Sequence, residues 1–244
     1  MNKQQFKAKV FSSIVKFYKF NNLLGKGDFV LVGVSAGADS VCLLHFLSVI
    51  AKKDNFEIAV VHVNHGIRKA AVKDKQLVQK LCKQLGLKFY TKKVDAKKYA
   101  KTKGLSLEHS ARNLRYDVFL QFAKKHKANK IALAHHLDDH IETIFLNILR
   151  GTKAKGFLGI PVKRKLTSKI EIVRPFLAIG KKEVLDYAKH NDLKFLDDET
   201  NADDKFRRNW LRNTVIPMLE KKQPQIKKHL QLMSSDLQKF IKIK

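Results

Sequence analysis

The chain has 244 residues, 44% of them hydrophobic, with 50 Lys and Arg against 22 Asp and Glu for a formal charge of +28. That length holds one large domain, or one domain and an appendage, and that apolar content excludes global disorder. So basic a balance points to a polyanionic partner, nucleic acid or an anionic membrane, although a lysine bias on every surface would also raise the charge.

The amino terminus "MNKQQFKAKVFSSIVKFYKF" is basic and amphipathic and lacks the continuous apolar region of a signal peptide. Phe6, Val10, Ile14 and Phe17 on one face predict a helix packed on the domain, with a membrane-surface helix as the alternative. Residues 28–35 are short, apolar and β-branched, as in a buried parallel strand, and a helix follows from about Asp39 to Lys53. "EIAVVHVN" (57–64) predicts a second strand, 72–86 a helix closed by Gly86, and 88–94 a third strand. A helix over about 106–127, a strand at 130–135 and a helix at about 138–150 complete the alternation. Such alternation implies right-handed crossovers and a Rossmann-like parallel sheet with helices on both faces. Sites in such sheets form at the C-terminal ends of strands.

After Gly151 the texture changes. "GTKAKGFLGIPVKRK" predicts a mobile, anion-facing loop, and "EIVRPF" (171–176) a short strand whose Pro175 marks an edge or a strand end. A helix from Gly180, an acidic turn, a basic helix and an amphipathic tail with Ile226, Leu230, Met233, Leu237 and Phe240 in line follow. The α/β domain is therefore expected over 1–200, with a small helical C-terminal region over 201–244. No apolar run reaches the roughly 18 residues of a membrane span. Cys42 and Cys82 form no CxxC pair, which fits a reducing cytosol and a cytoplasmic protein.

The chemistry begins at "SAGADS" (35–40). A strand ending in small residues and feeding a helix offers backbone N–H groups and a helix dipole to an anion. Ser35 and Ser40 add hydroxyls, and Asp39 would tolerate phosphate by holding Mg²⁺ between them. A tight structural turn capped by Asp39 is the competing reading. The stretch is neither a Walker A loop nor GxGxxG. Arg112 and Arg115, three apart, can serve one phosphate or base, or simply solvate a helix face. Asp138, Asp139 and Glu142 open a helix; an N-cap explains one of them. His136 and His140 at i, i+4 permit a zinc site, although no Glu follows the first His and two Asp lean toward Mg²⁺.

"SAGADS" resembles the S-G-G-x-D-S loop of the N-type ATP pyrophosphatases, the PP-loop family. "HVNHGIR" (62–68), "EHSARNLRY" (108–116), "AHHLDDHIET" (134–143), "RGTKAKGFLGI" (150–160), "RPF" (174–176) and "RRNWLRNTVIPML" (207–219) follow in the order of the tRNA(Ile)-lysidine synthetases of that family. The resemblance spans about residues 28–220. Ala36 and Lys153 stand where the family has Gly, and His140 where it has Gln.

The resemblance implies an ATP-dependent ligase that adenylates the wobble cytidine of an isoleucine tRNA with a CAU anticodon, then attaches free L-lysine. It implies an ATP site from Ser35, Ala36, Gly37, Ala38, Asp39, Ser40, His65 and His136, with Asp39 on Mg²⁺. The catalytic set would be Asp39, Arg112, Arg115, Asp139 and Glu142. Lysine would meet Asp139, Glu142 and Arg208, and tRNA would meet Lys153, Lys155, Arg164, Arg208 and Arg212. The rivals are a tRNA-thiolating relative, which needs sulfur-handling cysteines, and an inactive RNA-binding module. No membrane partner is expected, and a homodimer is left open.

Overall fold

The computed structural model describes residues 3–67, 71–196 and 207–242. Six strands form one sheet in the order β3-β2-β1-β4-β6-β5: β1 Phe29–Gly33, β2 Glu57–Asn64, β3 Lys88–Lys93, β4 Lys130–Ala132, β5 Lys163–Lys165 and β6 Glu171–Val173. Every pairing is parallel except β5 with β6. The expected parallel sheet therefore carries an antiparallel edge, made by the lysine-rich "KRK". β6 is interior, so Pro175 marks a strand end: it opens a 3₁₀ turn, Pro175–Ala178.

Helices α1 (Lys3–Phe20), α2 (Ala38–Asp54), α3 (Ala71–Leu85), α4 (Ala96–Lys103), α5 (Leu107–His126), α6 (Leu137–Ile148) and α7 (Lys181–His190) surround it. One core joins α1, α2, α3 and α7 to Val30, Val32 and Val60. The other joins α5 to Leu31, Ala59 and Val61. Alternate residues of β1 and β2 thus serve opposite faces, which is why these strands read as continuous apolar runs. In α1, Val10 and Ile14 are buried, Tyr18 joins them and Phe17 is partly buried, so the helix packs on the domain. The Phe6 side chain lies outside the described residues. No described helix is long and apolar enough to cross a membrane. α4 was not expected. Asp95 caps its start by accepting from the Lys98 N–H at 2.9 Å, and Gly104 ends it in the left-handed region.

The predicted loop over 151–165 is partly ordered as a 3₁₀ turn, Ala154–Leu158, ahead of β5. Gly159 follows at φ +58°, and a Cβ there would meet the His140 ring at 2.6 Å, so only glycine fits. The C-terminal region runs as α8 (Arg207–Trp210), a π-helical turn (Leu211–Val215), α9 (Ile216–Lys222) and α10 (Ile226–Lys242). The wide turn precedes Pro217, whose ring cannot sit under an ordinary i−4 carbonyl. Leu211, Ile216 and Leu230 pack on Ile141 and Ile144 of α6. The tail stripe is only half as expected. Leu230 turns inward, but Met233 and Phe240 are exposed and Ser234 takes a buried position, donating to the Leu158 carbonyl. The 200/201 division lies outside the described residues.

Candidate active site

One hydroxyl holds the bend after β1. Ser40 Oγ accepts from the Ser35 N–H at 3.0 Å, donates to the Gly37 carbonyl at 3.0 Å and lies 3.2 Å from Ser35 Oγ. Gly37, with extended backbone, is the N-cap of α2. Ser35, Gly37, Asp39 and Ser40 line a cavity of about 630 Å³ together with His65 and Arg115. Ala36 and Ala38 are buried, so backbone is what they can offer. Ala36 takes φ +77°, the left-handed region in which the family's glycine would sit freely.

Asp39 Oδ1 accepts from Lys181 Nζ at 2.6 Å. His136 is buried behind it and caps α6: its Nδ1 accepts from the Asp139 N–H, and its own N–H donates to Asp139 Oδ2. Its Nε2 lies 3.8 Å from Asp39 Oδ2, and it is not among the residues lining the loop cavity. One partly exposed carboxylate beside an anion cradle is the donor set Mg²⁺ uses when substrate phosphates complete its shell, so Asp39 fits that ion.

A second cavity, about 430 Å³, is lined by Arg112, Arg150, Arg164, Arg174 and Arg208, with Glu108 as its acid. Glu108, His135 and Arg208 line both cavities, so the two share a wall. Arg112 and Arg115 do not converge: Arg115 lines the first cavity and Arg112 the second. They meet at Tyr116, whose ring lies 5.4 Å from the Arg112 guanidinium, 6.0 Å from that of Arg115 and 5.0 Å from that of Arg164. Burial would raise the Tyr116 hydroxyl pKa, but Arg112, Arg174, Arg115 and Arg164 together hold it below the usual tyrosine value. Burial lowers the Arg115 guanidinium, whose Nε has no hydrogen-bond partner among the described residues. A partly buried guanidinium on a cavity wall, with no ion pair under 4 Å to a carboxylate among the described residues, suits an anion.

The acids on α6 are paired. Glu142 is fully buried; its Oε2 accepts from Arg208 Nε at 2.7 Å and Arg212 Nη2 at 3.0 Å, and its Oε1 from Arg212 Nε at 2.6 Å. Asp139 Oδ1 accepts from Arg208 Nη2 at 3.0 Å. Burial would raise the Asp139 carboxyl, but His136 and Arg208 hold it low. Asp138 accepts from the Lys181 backbone N–H and pairs with Lys227 Nζ at 2.7 Å. Arg208 and Arg212 therefore each turn two of their nitrogens inward, onto carboxylates. Lys153 and Lys155 are exposed on the loop before the second cavity, and Arg164 lines that cavity. Lys205 lies outside the described residues.

His136 and His140 diverge. His140 Nδ1 accepts from the Ile160 N–H at 3.1 Å and so holds the loop after Gly159, and burial lowers its pKa. Among the described residues no three His, Cys, Asp or Glu gather for a metal. Cys42 and Cys82 are buried in helices, where burial pushes both thiols up to about 12; neither lines a cavity described above, so neither is placed for sulfur chemistry. Sequence reasoning missed Lys181, Arg174, Lys227 and His135 as site residues. Only Arg174 and His135 carried a signal, within "RPF" and "AHHLDDHIET".

A PP-loop domain model matches residues 7–219. The chain is 40% identical over 212 residues to a tRNA(Ile)-lysidine synthase of Clostridioides difficile, covering 86% of this chain and 45% of that protein. It is 40% identical over 227 residues to that of Bacillus subtilis, covering 92% and 48%. It thus spans about half the length of these curated relatives. Among solved structures, a U34-tRNA thiolase of Methanococcus maripaludis superposes with a TM-score of 0.82 at 21% identity, covering 97% of this chain and 80% of that one, a likeness of fold. With the small-residue loop between β1 and α2, the sheet order and the matched span in agreement, the chain belongs to the PP-loop domain family.

Proposed function

We propose that the chain ligates free L-lysine to the wobble cytidine of an isoleucine tRNA with a CAU anticodon, consuming ATP through an adenylated cytidine. The observation that carries this reading is the wall common to the two cavities. A triphosphate on the 35–40 loop and a base entering among the arginines would meet at His135 and Arg208. The cytidine C2 oxygen attacks the α-phosphorus and pyrophosphate leaves; the lysine amine then attacks C2 and AMP leaves. Transition-state charge, more than bond-making, is what a protein must manage in such transfers. The remaining loop N–H groups, the Ser35 hydroxyl and Arg115 would face that charge, with Ser40 holding the bend and His65 on the nucleotide side. Mg²⁺ on Asp39 would neutralise the leaving pyrophosphate.

Arg208 suits the carboxylate of lysine and Asp139 its ammonium. Glu142, closed off by guanidiniums, holds Arg208 and Arg212 in place. Arg112 and Arg164 would hold the base or its phosphate, Lys153 and Lys155 the RNA backbone farther out, and Arg212 acts through Glu142. Such backbone contacts give salt-dependent affinity; unstacked anticodon bases give the specificity. We place the α/β domain at 1–200 and the helical region, which supplies the basic partners of the acids, at 201–244.

The test is incubation with ATP, labelled lysine and that tRNA, followed by nucleoside analysis. Labelled lysidine is the expected product. Pyrophosphate release without lysine incorporation, or tRNA retention without turnover, would overturn the reading. Within it, Glu142→Ala should weaken lysine use more than adenylate formation because Arg208 loses its anchor; equal loss in both steps would show that Glu142 does not act through a lysine-binding Arg208.

A further inference from the structure

His135 stands on the wall between the cavities, where a proton acceptor for the incoming amine would be sought. Its neighbour rules that out. Arg174 follows β6, directly before Pro175, and is 2% exposed. Its Nε donates to His135 Nδ1 at 3.2 Å, and its Nη1 donates to the Pro161 carbonyl at 2.6 Å. A guanidinium has only donors and does not lose its proton in proteins. The bond therefore requires a lone pair on Nδ1 and places the ring proton on Nε2. A protonated His135 would set N–H against N–H.

We infer that Arg174 is a positioning residue that locks His135 in its neutral Nε2–H tautomer, so that His135 serves the reaction as a fixed hydrogen-bond donor and not as a base. The role in turnover rests on the ligase reading above; the tautomer does not. The donor would face oxygen charge developing where nucleotide and base meet, with no reorganisation needed at the moment of reaction. The charged groups around the ring agree in sign. Arg174 from the end of β6 and Arg115 and Arg112 from α5 oppose a second positive charge. Asp139 of α6 favours one but is already matched by Arg208. Glu108 and Arg208 complete the charged lining shared by the two cavities. Burial dominates these influences and pushes His135 down to about 3.

The direct test is ring ¹⁵N NMR of the histidine-labelled wild-type protein, with His135 assigned by its loss in His135→Gln. The expected result is an unprotonated Nδ1, a protonated Nε2 and no change between about pH 5 and 8. A protonated Nδ1, or a ring that titrates in that range, overturns the proposal. Arg174→Met should free Nδ1 and let the ring populate both neutral tautomers, read as Nδ1 and Nε2 shifts that move toward each other. It should also lower kcat for tRNA-dependent pyrophosphate release about 10- to 100-fold with little change in KM for ATP. Arg174→Lys, which keeps a cationic donor, should restore part of the loss; no recovery, with the ring shifts of Arg174→Met unchanged from wild type, would count against the lock. Should Arg174→Met fail to fold, the wild-type spectrum decides alone. The expected ring shifts in a protein that makes no lysidine would support the tautomer and defeat the ligase reading instead.

Discussion

At Ala36 two small energies oppose each other. A positive φ costs an alanine about 1 kcal/mol relative to glycine, and the buried methyl returns about 0.8 kcal/mol. Glycine would also enlarge the unfolded ensemble. Ala36→Gly should therefore move the unfolding free energy by less than about 1 kcal/mol in urea titration, whereas Ala36→Val should lose more than about 2 kcal/mol through β-branch strain and overpacking. Asp39 is a different case. Its pair with Lys181 is partly exposed on both sides and contributes little to stability. Asp39→Asn should leave the melting temperature nearly unchanged while cutting pyrophosphate release about 100-fold; a stable variant releasing pyrophosphate at the wild-type rate would remove Asp39 from the chemistry. Glu142 reverses that pattern. Removing a buried carboxylate leaves Arg212 without its closest partner and Arg208 with Asp139 alone, so Glu142→Ala should cost about 3 kcal/mol, and adding Arg212→Met should recover part of it in a double-mutant cycle.

Among the elements, α10 is fastened to α6 by Lys227 on Asp138. Burial would raise the Asp138 carboxyl, yet the bonds from Lys227 and the Lys181 N–H hold it below its ordinary value. Lys227 is raised, burial being outweighed by its bonds to Asp138 and Glu220. A depressed acid contributes stability above its unfolded pKa of about 3.9 and loses it as pH falls through the folded value. A raised lysine contributes below about 10.4 and loses it as pH rises through the folded value. The stability gap between wild type and Asp138→Asn should thus be flat from about pH 5 to 9 and close as pH falls through the depressed folded value; a gap that persists in acid would show that the carboxylate's charge is not what matters. The strands and the long helices were legible because each carries its own pattern, period two or a buried run against period 3.6. β5 was not: three basic residues join the sheet only because β6 offers a free edge. α4 hid because it is short and half lysine, with only two alanines and one tyrosine to mark a helical period. The π-helical turn has no sequence signal apart from Pro217.

For the whole molecule, the loop, Asp39 and the α6 acids were legible from residues close in sequence. Their partners were not. Lys181 reaches Asp39 and Arg208 reaches Glu142 across the fold, and no spacing rule announces contacts 142 and 66 residues apart. The divergence of Arg112 and Arg115 into two cavities likewise depends on Tyr116 between them. In the proposed function the charge of +28 would set the encounter with RNA. The affinity for tRNA should fall steeply between about 50 and 200 mM salt, and Lys153→Ala with Lys155→Ala should flatten that slope without changing which tRNA is modified. The measurement closest to the central claim is a structure of the protein with magnesium and a non-hydrolysable ATP analogue. The triphosphate is expected on the 35–40 bend, its α-phosphorus toward the wall shared by His135 and Arg208. Nucleotide bound elsewhere, with that bend empty, would contradict it.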